Sequence, residues 1–296
     1  MLAYRRGVAV LRRGLGSTRS QSSLRSLHGG FLDLVKSDGD GGGYVSVRDI
    51  NDKVKEIKIS NTRTKNSITG KMMKELASIV DSLQSSDPNE TTVALILRAS
   101  GDAFCSGADL GLVRSIVNTP ERGKLMSSFM TDCLNRLHTS RYISCCIIDG
   151  PALGGGAELT TACDFRLMVN HERSYVQFIH CMLGASTGFG GSTRLSGIVS
   201  RQNALTFLAS SSRISVDRGL QTGFVDGGID ADAEVLDASL QFLSSFTDQK
   251  FPESVRSFKT IVSQSYSTKK ENLFDFETAV FKGRWMGRDN KSALQK

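Results

Sequence analysis

The sequence predicts an α/β domain built on a largely parallel sheet. Apolar, β-branched runs alternate with amphipathic helical segments through the middle of the chain, and this succession favours parallel strands joined by right-handed crossovers. Two of the apolar runs also end in glycine-rich corners, where a backbone turns tightly or lets a ligand approach. The expected strands cover residues 54–60, 93–99, 143–148 and 165–169.

Amphipathic periodicity places helices between and after these strands. Thr69 is a suitable N-cap for a helix that carries Met72, Leu76 and Leu83 on one face, and a second helix is expected near residues 121–137. Three further segments near the C-terminus repeat apolar residues three and four positions apart. These segments cover residues 231–246, 252–266 and 271–281.

These patterns divide the chain into three parts. Residues 1–43 are expected to be a basic leader and a glycine-rich linker without the apolar surface needed for a core. Residues 44–215 should form the main α/β body, and residues 216–296 a helical region for packing and for contact between copies. We expect the folded body to begin near Tyr44.

The first 32 residues contain six arginines, many serines and no acidic residue, which is typical of a mitochondrial transit peptide. A disordered basic tail is the alternative interpretation. These arginines account for all but one of the seven net positive charges, so the remainder is nearly neutral. The composition therefore gives little support to nucleic-acid binding or membrane binding, and no apolar run is long enough to span a membrane.

The six cysteines are scattered through mostly apolar runs and lack metal-ligand spacing. Reduced, buried thiols in an intracellular protein are the simplest account. No metal site is expected.

The corner at residues 154–156 is the first candidate functional feature. Three consecutive glycines follow the run at 143–148 and precede a short helix, so free backbone N–H groups should lie there. Such groups stabilise an anion that forms during a reaction, and Glu158 should reach the same space. Alternatively, the three glycines form only a tight packing turn, and Glu158 is a solvated carboxylate.

A second corner, DAFCSGADLGL at residues 102–112, follows the run at 93–99. Two strand ends with glycine corners can each supply a backbone N–H to one site.

Several ordered motifs resemble the crotonase (enoyl-CoA hydratase/isomerase) superfamily. They are AFCSGADL, GPALGGGAEL, ACDFRLM and GFGGSTRL, and the resemblance runs from about residue 54 to residue 285. The resemblance implies a spiral of β-β-α repeats followed by a C-terminal helical region that makes trimer contacts. A homotrimer or a hexamer is therefore expected.

The same resemblance implies roles for individual residues. The backbone N–H groups of Ala108 and Gly155 would bind the thioester oxygen of an acyl-CoA. Glu158 matches one of the two glutamates of the hydratases, whereas the position of the other glutamate is occupied by His180. The remaining positions implied in coenzyme A and substrate binding are Lys65, Ser106, Asp109, Leu110 and Gly154.

Hydration of an enoyl thioester uses two positioned carboxylates, so His180 makes ordinary hydratase activity doubtful. The motifs FRLM, FIHCMLG and GGSTRL are most similar to the branch of the superfamily that decarboxylates ethylmalonyl-CoA and, less well, methylmalonyl-CoA, as metabolite repair. Glu158 is then expected either to repel the substrate carboxylate or, when protonated, to deliver a proton to the enolate. A structural role for His180 remains the alternative to a direct one.

Three functions stay open at this point: the decarboxylase, an enoyl-CoA hydratase or isomerase, and a non-catalytic homologue that binds coenzyme A or RNA. Neither a metal nor an organic cofactor is expected, because coenzyme A belongs to the substrate. The resemblance implies a cytosolic protein, and the arginine-rich start implies the mitochondrial matrix instead.

Overall fold

The computed structural model describes residues 29–35, 42–84, 90–267, 278, 281–282 and 285–295. The leader before residue 29 and most of the glycine-rich linker lie outside the described residues, as does most of the predicted helix at 271–281. The strands are β1 (Tyr44–Asp49), β2 (Val54–Ser60), β3 (Ala94–Ala99), β4 (Ile143–Ile148), β5 (Ala152–Leu153), β6 (Phe165–Val169), β7 (Val176–Gln177) and β8 (Gly227–Ile229). The helices are α1 (29–34), α2 (Gly70–Gln84), α3 (Leu110–Ser115), α4 (Pro120–His138), α5 (Gly155–Thr160), α6 (Gly191–Ile198), α7 (Arg201–Ala209), α8 (Val216–Thr222), α9 (Val235–Thr247), α10 (Pro252–Ser267) and α11 (Arg288–Leu294).

The main sheet has six strands in the order β1-β2-β3-β4-β6-β8. Strands β1 and β2 are antiparallel, and every other neighbouring pair is parallel. Strands β5 and β7 form a separate, two-stranded parallel sheet. The predicted α/β class and the largely parallel sheet are confirmed.

The four predicted strands and both early helices form where the sequence pattern placed them. Helix α2 begins after Thr69, whose hydroxyl accepts the N–H of Met72 at 3.3 Å. Thr119 caps α4, which has proline at its first position. The apolar faces of α2 and α4 pack on one side of the sheet, and α9 covers the other side with Leu243. No helix among the described residues is both long and apolar enough to cross a membrane.

Two regions differ from the expected division of the chain. The C-terminal part is not purely helical, because β8 lies within it and pairs with β6 at the edge of the main sheet. The folded body also begins before Tyr44: α1 is helical, and Phe31 and Val35 are fully buried. The expected start near Tyr44 is therefore corrected. Phe31 and Val35 are only one pair of apolar residues four positions apart, and so short a pattern does not predict a helix.

Replacing Phe31 by alanine is expected to lower the free energy of unfolding by about 3–5 kcal/mol, the usual cost of removing a buried phenylalanine. The ring of Phe31 lies 4.8 Å from that of Phe129, so a cavity would open against α4. Chemical denaturation measures the change. The control is Leu205→Ala, at a side chain on α7 that is half exposed. Equal stability of the two variants would contradict the docking of α1.

Candidate active site

The two glycine corners meet. Leu153 donates its N–H to the carbonyl of Cys105 at 2.8 Å, and Phe104 donates to the carbonyl of Pro151 at 3.1 Å. Gly107 has a φ of +101°, and a Cβ there would lie only 3.3 Å from the nitrogen of Gly155. Glycine at this position thus allows the corner after β3 to approach the start of α5.

Two backbone N–H groups at this junction have no acceptor in the described part of the chain. Ile68 bonds to both neighbours of Ala108: its N–H donates to the carbonyl of Gly107 at 2.8 Å, and its carbonyl accepts the N–H of Asp109 at 3.0 Å. The N–H of Ala108 itself has no acceptor among the residues that the structure describes. The N–H of Gly155 belongs to the first residue of α5 and has no acceptor among the described residues. Ala108 and Gly155 line the same cavity, which has a volume of about 450 Å³. Backbone N–H groups in one cavity are the kind of donor that can stabilise an oxygen atom with developing negative charge.

The backbone conformation of Gly154 orients the N–H of Gly155. Its φ of +53° and ψ of −119° lie in a region that residues with a side chain rarely adopt. Its N–H donates to the carbonyl of Gln177 at 3.0 Å, which ties this turn to β7. The turn is therefore both a packing element and the support for the Gly155 N–H.

Glu158 is fully buried beside these donors, and its carboxylate accepts four hydrogen bonds. Oε1 accepts from the N–H of Gly188 at 3.0 Å, and Oε2 accepts from the N–H groups of Phe189 at 2.7 Å and Gly191 at 2.8 Å. The fourth partner is Nε2 of His180, 3.0 Å from Oε1. The alternative of a solvated carboxylate is excluded by this geometry.

Burial by itself would raise the pKa of Glu158. The hydrogen bond and charge of His180, together with the N–H groups of Gly188 and Gly191, outweigh burial and hold this pKa below its usual range. Glu158 is therefore an anion at neutral pH. An anion that already accepts four hydrogen bonds has no proton to donate.

His180 lies in the 3₁₀ helix Ile179–Leu183, with its side chain 13% exposed. Its Nδ1 atom is buried and has no hydrogen-bond partner among the described residues. The Oγ atom of Ser186 is also buried without a hydrogen-bond partner among the described residues, and both His180 and Ser186 line the cavity. Two buried polar atoms without a partner among the described residues therefore belong to side chains that line the cavity.

The positions proposed for coenzyme A and substrate binding divide into two groups. Ser106, Asp109, Leu110 and Gly154 line the cavity, and Leu110 is 54% exposed at its mouth. Asp109 also caps α3 by accepting the N–H of Leu112 at 3.1 Å. Lys65 does not line the cavity; it is an exposed residue in a left-handed turn, and its carbonyl accepts the N–H of Ser106 at 2.9 Å.

Several residues of the site were not identified from the sequence. Ser186, Phe281 and Trp285 line the cavity, and the last two come from the C-terminal part that was expected only to pack and make contacts between copies. Arg194 is fully buried and donates to the carbonyl of Phe189 at 2.6 Å, which supports the loop that binds Glu158. Of these, only Arg194 lies within a motif that could have identified it, GFGGSTRL.

Cys105 lies in the second corner, at residues 102–112, but is not a plausible nucleophile. Burial raises the pKa of its thiol to about 12, only partly offset by the N–H of Gly107, so the thiol stays protonated. No group of three metal-ligating side chains occurs within the described ranges.

Comparison with known proteins assigns the chain to a family. It belongs to the enoyl-CoA hydratase/isomerase family, whose sequence model matches residues 49–296. Two solved structures share the fold: an enoyl-CoA hydratase/isomerase from Mycobacterium paratuberculosis and an enoyl-CoA hydratase from Bacillus halodurans. Both have a TM-score of 0.73, with 19% and 18% identity, and cover 85% of this chain and 97% and 99% of their own. The expected crotonase fold is thereby confirmed.

The chain is also similar to curated proteins named ethylmalonyl-CoA decarboxylase. The protein of that name from Xenopus laevis is 33% identical over 96% of this chain and 88% of the relative. The one from Gallus gallus is 35% identical over 86% of this chain and 83% of the relative. These relatives support the expected resemblance to the decarboxylating branch of the family.

Proposed function

We propose that the protein decarboxylates ethylmalonyl-CoA and, less well, methylmalonyl-CoA, giving the corresponding acyl-CoA and CO2. The names of the relatives support the reaction, and one observation of the site carries it. Ala108 and Gly155, whose N–H groups have no acceptor within the described ranges, share a cavity with a buried carboxylate that is paired with a histidine. The chemistry requires neither a metal nor an organic cofactor.

The reaction needs a place for the electron pair of the broken bond. When the bond between the α-carbon and the carboxylate breaks, CO2 leaves and the electron pair passes into the thioester, which becomes an enolate. Negative charge then grows on the thioester oxygen, and the N–H groups of Ala108 and Gly155 stabilise it. Addition of one proton to the α-carbon completes the acyl-CoA.

In this proposal Glu158 is a positioning residue. It is ionised, and it holds His180 and the loop at residues 188–191 in place. Proton handling falls to His180, which lines the cavity and whose Nδ1 has no protein partner among the described residues. The sequence-based expectation that Glu158 delivers the proton is therefore not retained.

His180 also favours a substrate that bears a carboxylate. Nε2 of His180 is 3.0 Å from Oε1 of Glu158, so a carboxylate in place of the imidazole would lie near a second anion, and two carboxylates at close range repel each other. A carboxylated thioester would add a third negative charge. With the imidazole at this position, Glu158 has a nitrogen partner. The carboxylate of the substrate is then the second negative charge at the site and not the third.

The deciding experiment incubates purified full-length protein with ethylmalonyl-CoA, methylmalonyl-CoA and crotonyl-CoA, with mass detection of the products. We expect butyryl-CoA and CO2 from ethylmalonyl-CoA, slower conversion of methylmalonyl-CoA, and little or no hydration of crotonyl-CoA. Fast hydration of crotonyl-CoA without CO2 release from ethylmalonyl-CoA would contradict the proposal and favour a hydratase.

We further propose that copies of the chain associate through the C-terminal region. Four large apolar side chains on or next to α10 are more than half exposed, which is typical of a surface that is buried against another protein. They are Phe251, Phe258, Ile261 and Val262. A trimer or a hexamer measured by light scattering would support this assembly, and a monomer would contradict it.

A further inference from the structure

The cavity has an open end and a closed apolar end. Leu110 at the mouth is 54% exposed, whereas Val113, Met126 and Phe189 in the interior are at most 3% exposed. The nucleotide and pantetheine parts of coenzyme A are too large for a cavity of about 450 Å³, so they must extend past the mouth. The alkyl group of the substrate therefore points toward the closed end.

Two aromatic rings from the C-terminal segment complete this closed end. Phe281 and Trp285 are buried and line the cavity, and their rings stack with centroids 5.0 Å apart. The indole N–H of Trp285 donates to the carbonyl of Val117 at 2.7 Å. This hydrogen bond gives the indole one defined orientation in the wall.

Glycines on distant elements make room for both rings. A Cβ at Gly123 on α4 would lie 2.1 Å from Cδ1 of Trp285, and a Cβ at Gly188 would lie 2.7 Å from Cε2 of Phe281. The rings thus rest directly on backbone, which cannot move aside as a flexible side chain would.

Asn290 fastens the same segment to the helix that carries His180. Its Oδ1 accepts the N–H of Met286 at 2.9 Å, and its Nδ2 donates to the carbonyl of Leu183 at 2.7 Å. The apolar wall and the residues around the reacting carbon therefore belong to one packed unit. A longer alkyl chain cannot push the wall outward without breaking these contacts.

We infer that Phe281 and Trp285 determine which alkyl group on the α-carbon the site accepts, and that they exclude chains longer than a short alkyl branch. The inference rests on the proposed decarboxylation and identifies its substrate class as short-chain alkylmalonyl thioesters. A methyl group would fill the space less completely than an ethyl group, and one methylene in an apolar pocket changes selectivity by about 10-fold or more.

The test compares kcat/KM for methyl-, ethyl-, propyl- and butylmalonyl-CoA in the wild type, Trp285→Ala and Phe281→Leu. In both variants we expect the ratio of butylmalonyl-CoA to ethylmalonyl-CoA to rise by about 10-fold or more, the usual worth of a methylene-sized space. Phe281→Leu removes less side-chain volume than Trp285→Ala, so it still tests the inference if Trp285→Ala does not fold. The control is Tyr44→Ala, a half-exposed aromatic residue on β1 outside the cavity, which should leave the ratio unchanged.

The possible failures are distinguishable. An unchanged ratio in a folded variant that still decarboxylates ethylmalonyl-CoA would overturn the role of the two rings and leave the proposed function intact. A wild type that decarboxylates none of the four thioesters would overturn the proposed function and this inference with it. Equal wild-type activity on the ethyl and butyl substrates would overturn only the claim that the wall limits chain length.

Discussion

Replacing Gly155 by valine is expected to reduce decarboxylation by about 1000-fold, the upper range for loss of one oxyanion donor, in a protein that still folds. A Cβ at this position would lie 2.7 Å from Cε2 of Phe189, so a branched side chain must displace either that ring or the backbone of the turn. It would also occupy the space of the thioester. The measurement is kcat on ethylmalonyl-CoA, with thermal unfolding as the check on folding.

Two further variants separate crowding at the site from a general effect of filling a glycine. Gly155→Ala adds only the Cβ and should lose less activity than the valine variant. Gly228→Ala on β8 adds a Cβ that meets Cγ1 of Val216 at 3.6 Å, an ordinary contact, and should keep wild-type activity. A folded Gly155→Val protein with near-normal turnover would show that the oxyanion site lies elsewhere.

Replacing Glu158 by glutamine is expected to slow decarboxylation by about 100-fold, comparable with loss of acid–base catalysis, because His180 loses its anionic partner. Stability should fall as well. Both Phe189 and Gly191 donate to Oε2, and an amide group must present its NH2 to at least one of the backbone N–H groups. One unsatisfied buried donor costs about 1–3 kcal/mol.

The stability effect has a definite pH dependence. Because the pKa of Glu158 is lowered by folding, its ionised form stabilises the protein above the unfolded-state value of about 4.3, and this contribution is lost as the pH falls through the folded-state pKa. The difference in melting temperature between wild type and Glu158→Gln should therefore shrink below about pH 4. A pH-independent difference, or the same effect from Glu172→Gln at an exposed position, would contradict the assignment.

The sequence predicts the parts of this site that depend on short-range pattern. Strand β4 ends where its apolar run ends, and three consecutive glycines leave the N–H of Gly155 free for the same local reason. The second corner, at residues 102–112, likewise begins shortly after the apolar run of β3 ends. These features are determined by neighbours in the chain, so composition and spacing are sufficient to locate them.

The parts that the sequence did not predict depend on distant partners. The ionised state of Glu158 comes from the hydrogen bond and charge of His180 and from the N–H groups of Gly188 and Gly191, which lie 22, 30 and 33 positions further along the chain. Trp285 reaches the cavity because Gly123 has no side chain, and no local pattern connects these two residues. Helix α1 is invisible in the sequence for a similar reason, since Phe31 is stabilised by Phe129.

The four hydrogen bonds to Glu158 also bear on how a substrate enters. Opening the loop at residues 188–191 would remove three N–H donors from the buried carboxylate of Glu158. The free-energy cost of each opening would be on the order of several kcal/mol. We therefore expect that loop to stay closed during turnover. On the proposed function, we expect acyl-CoA to enter, and its product to leave, through the mouth beside Leu110, with the alkyl end of the substrate entering first.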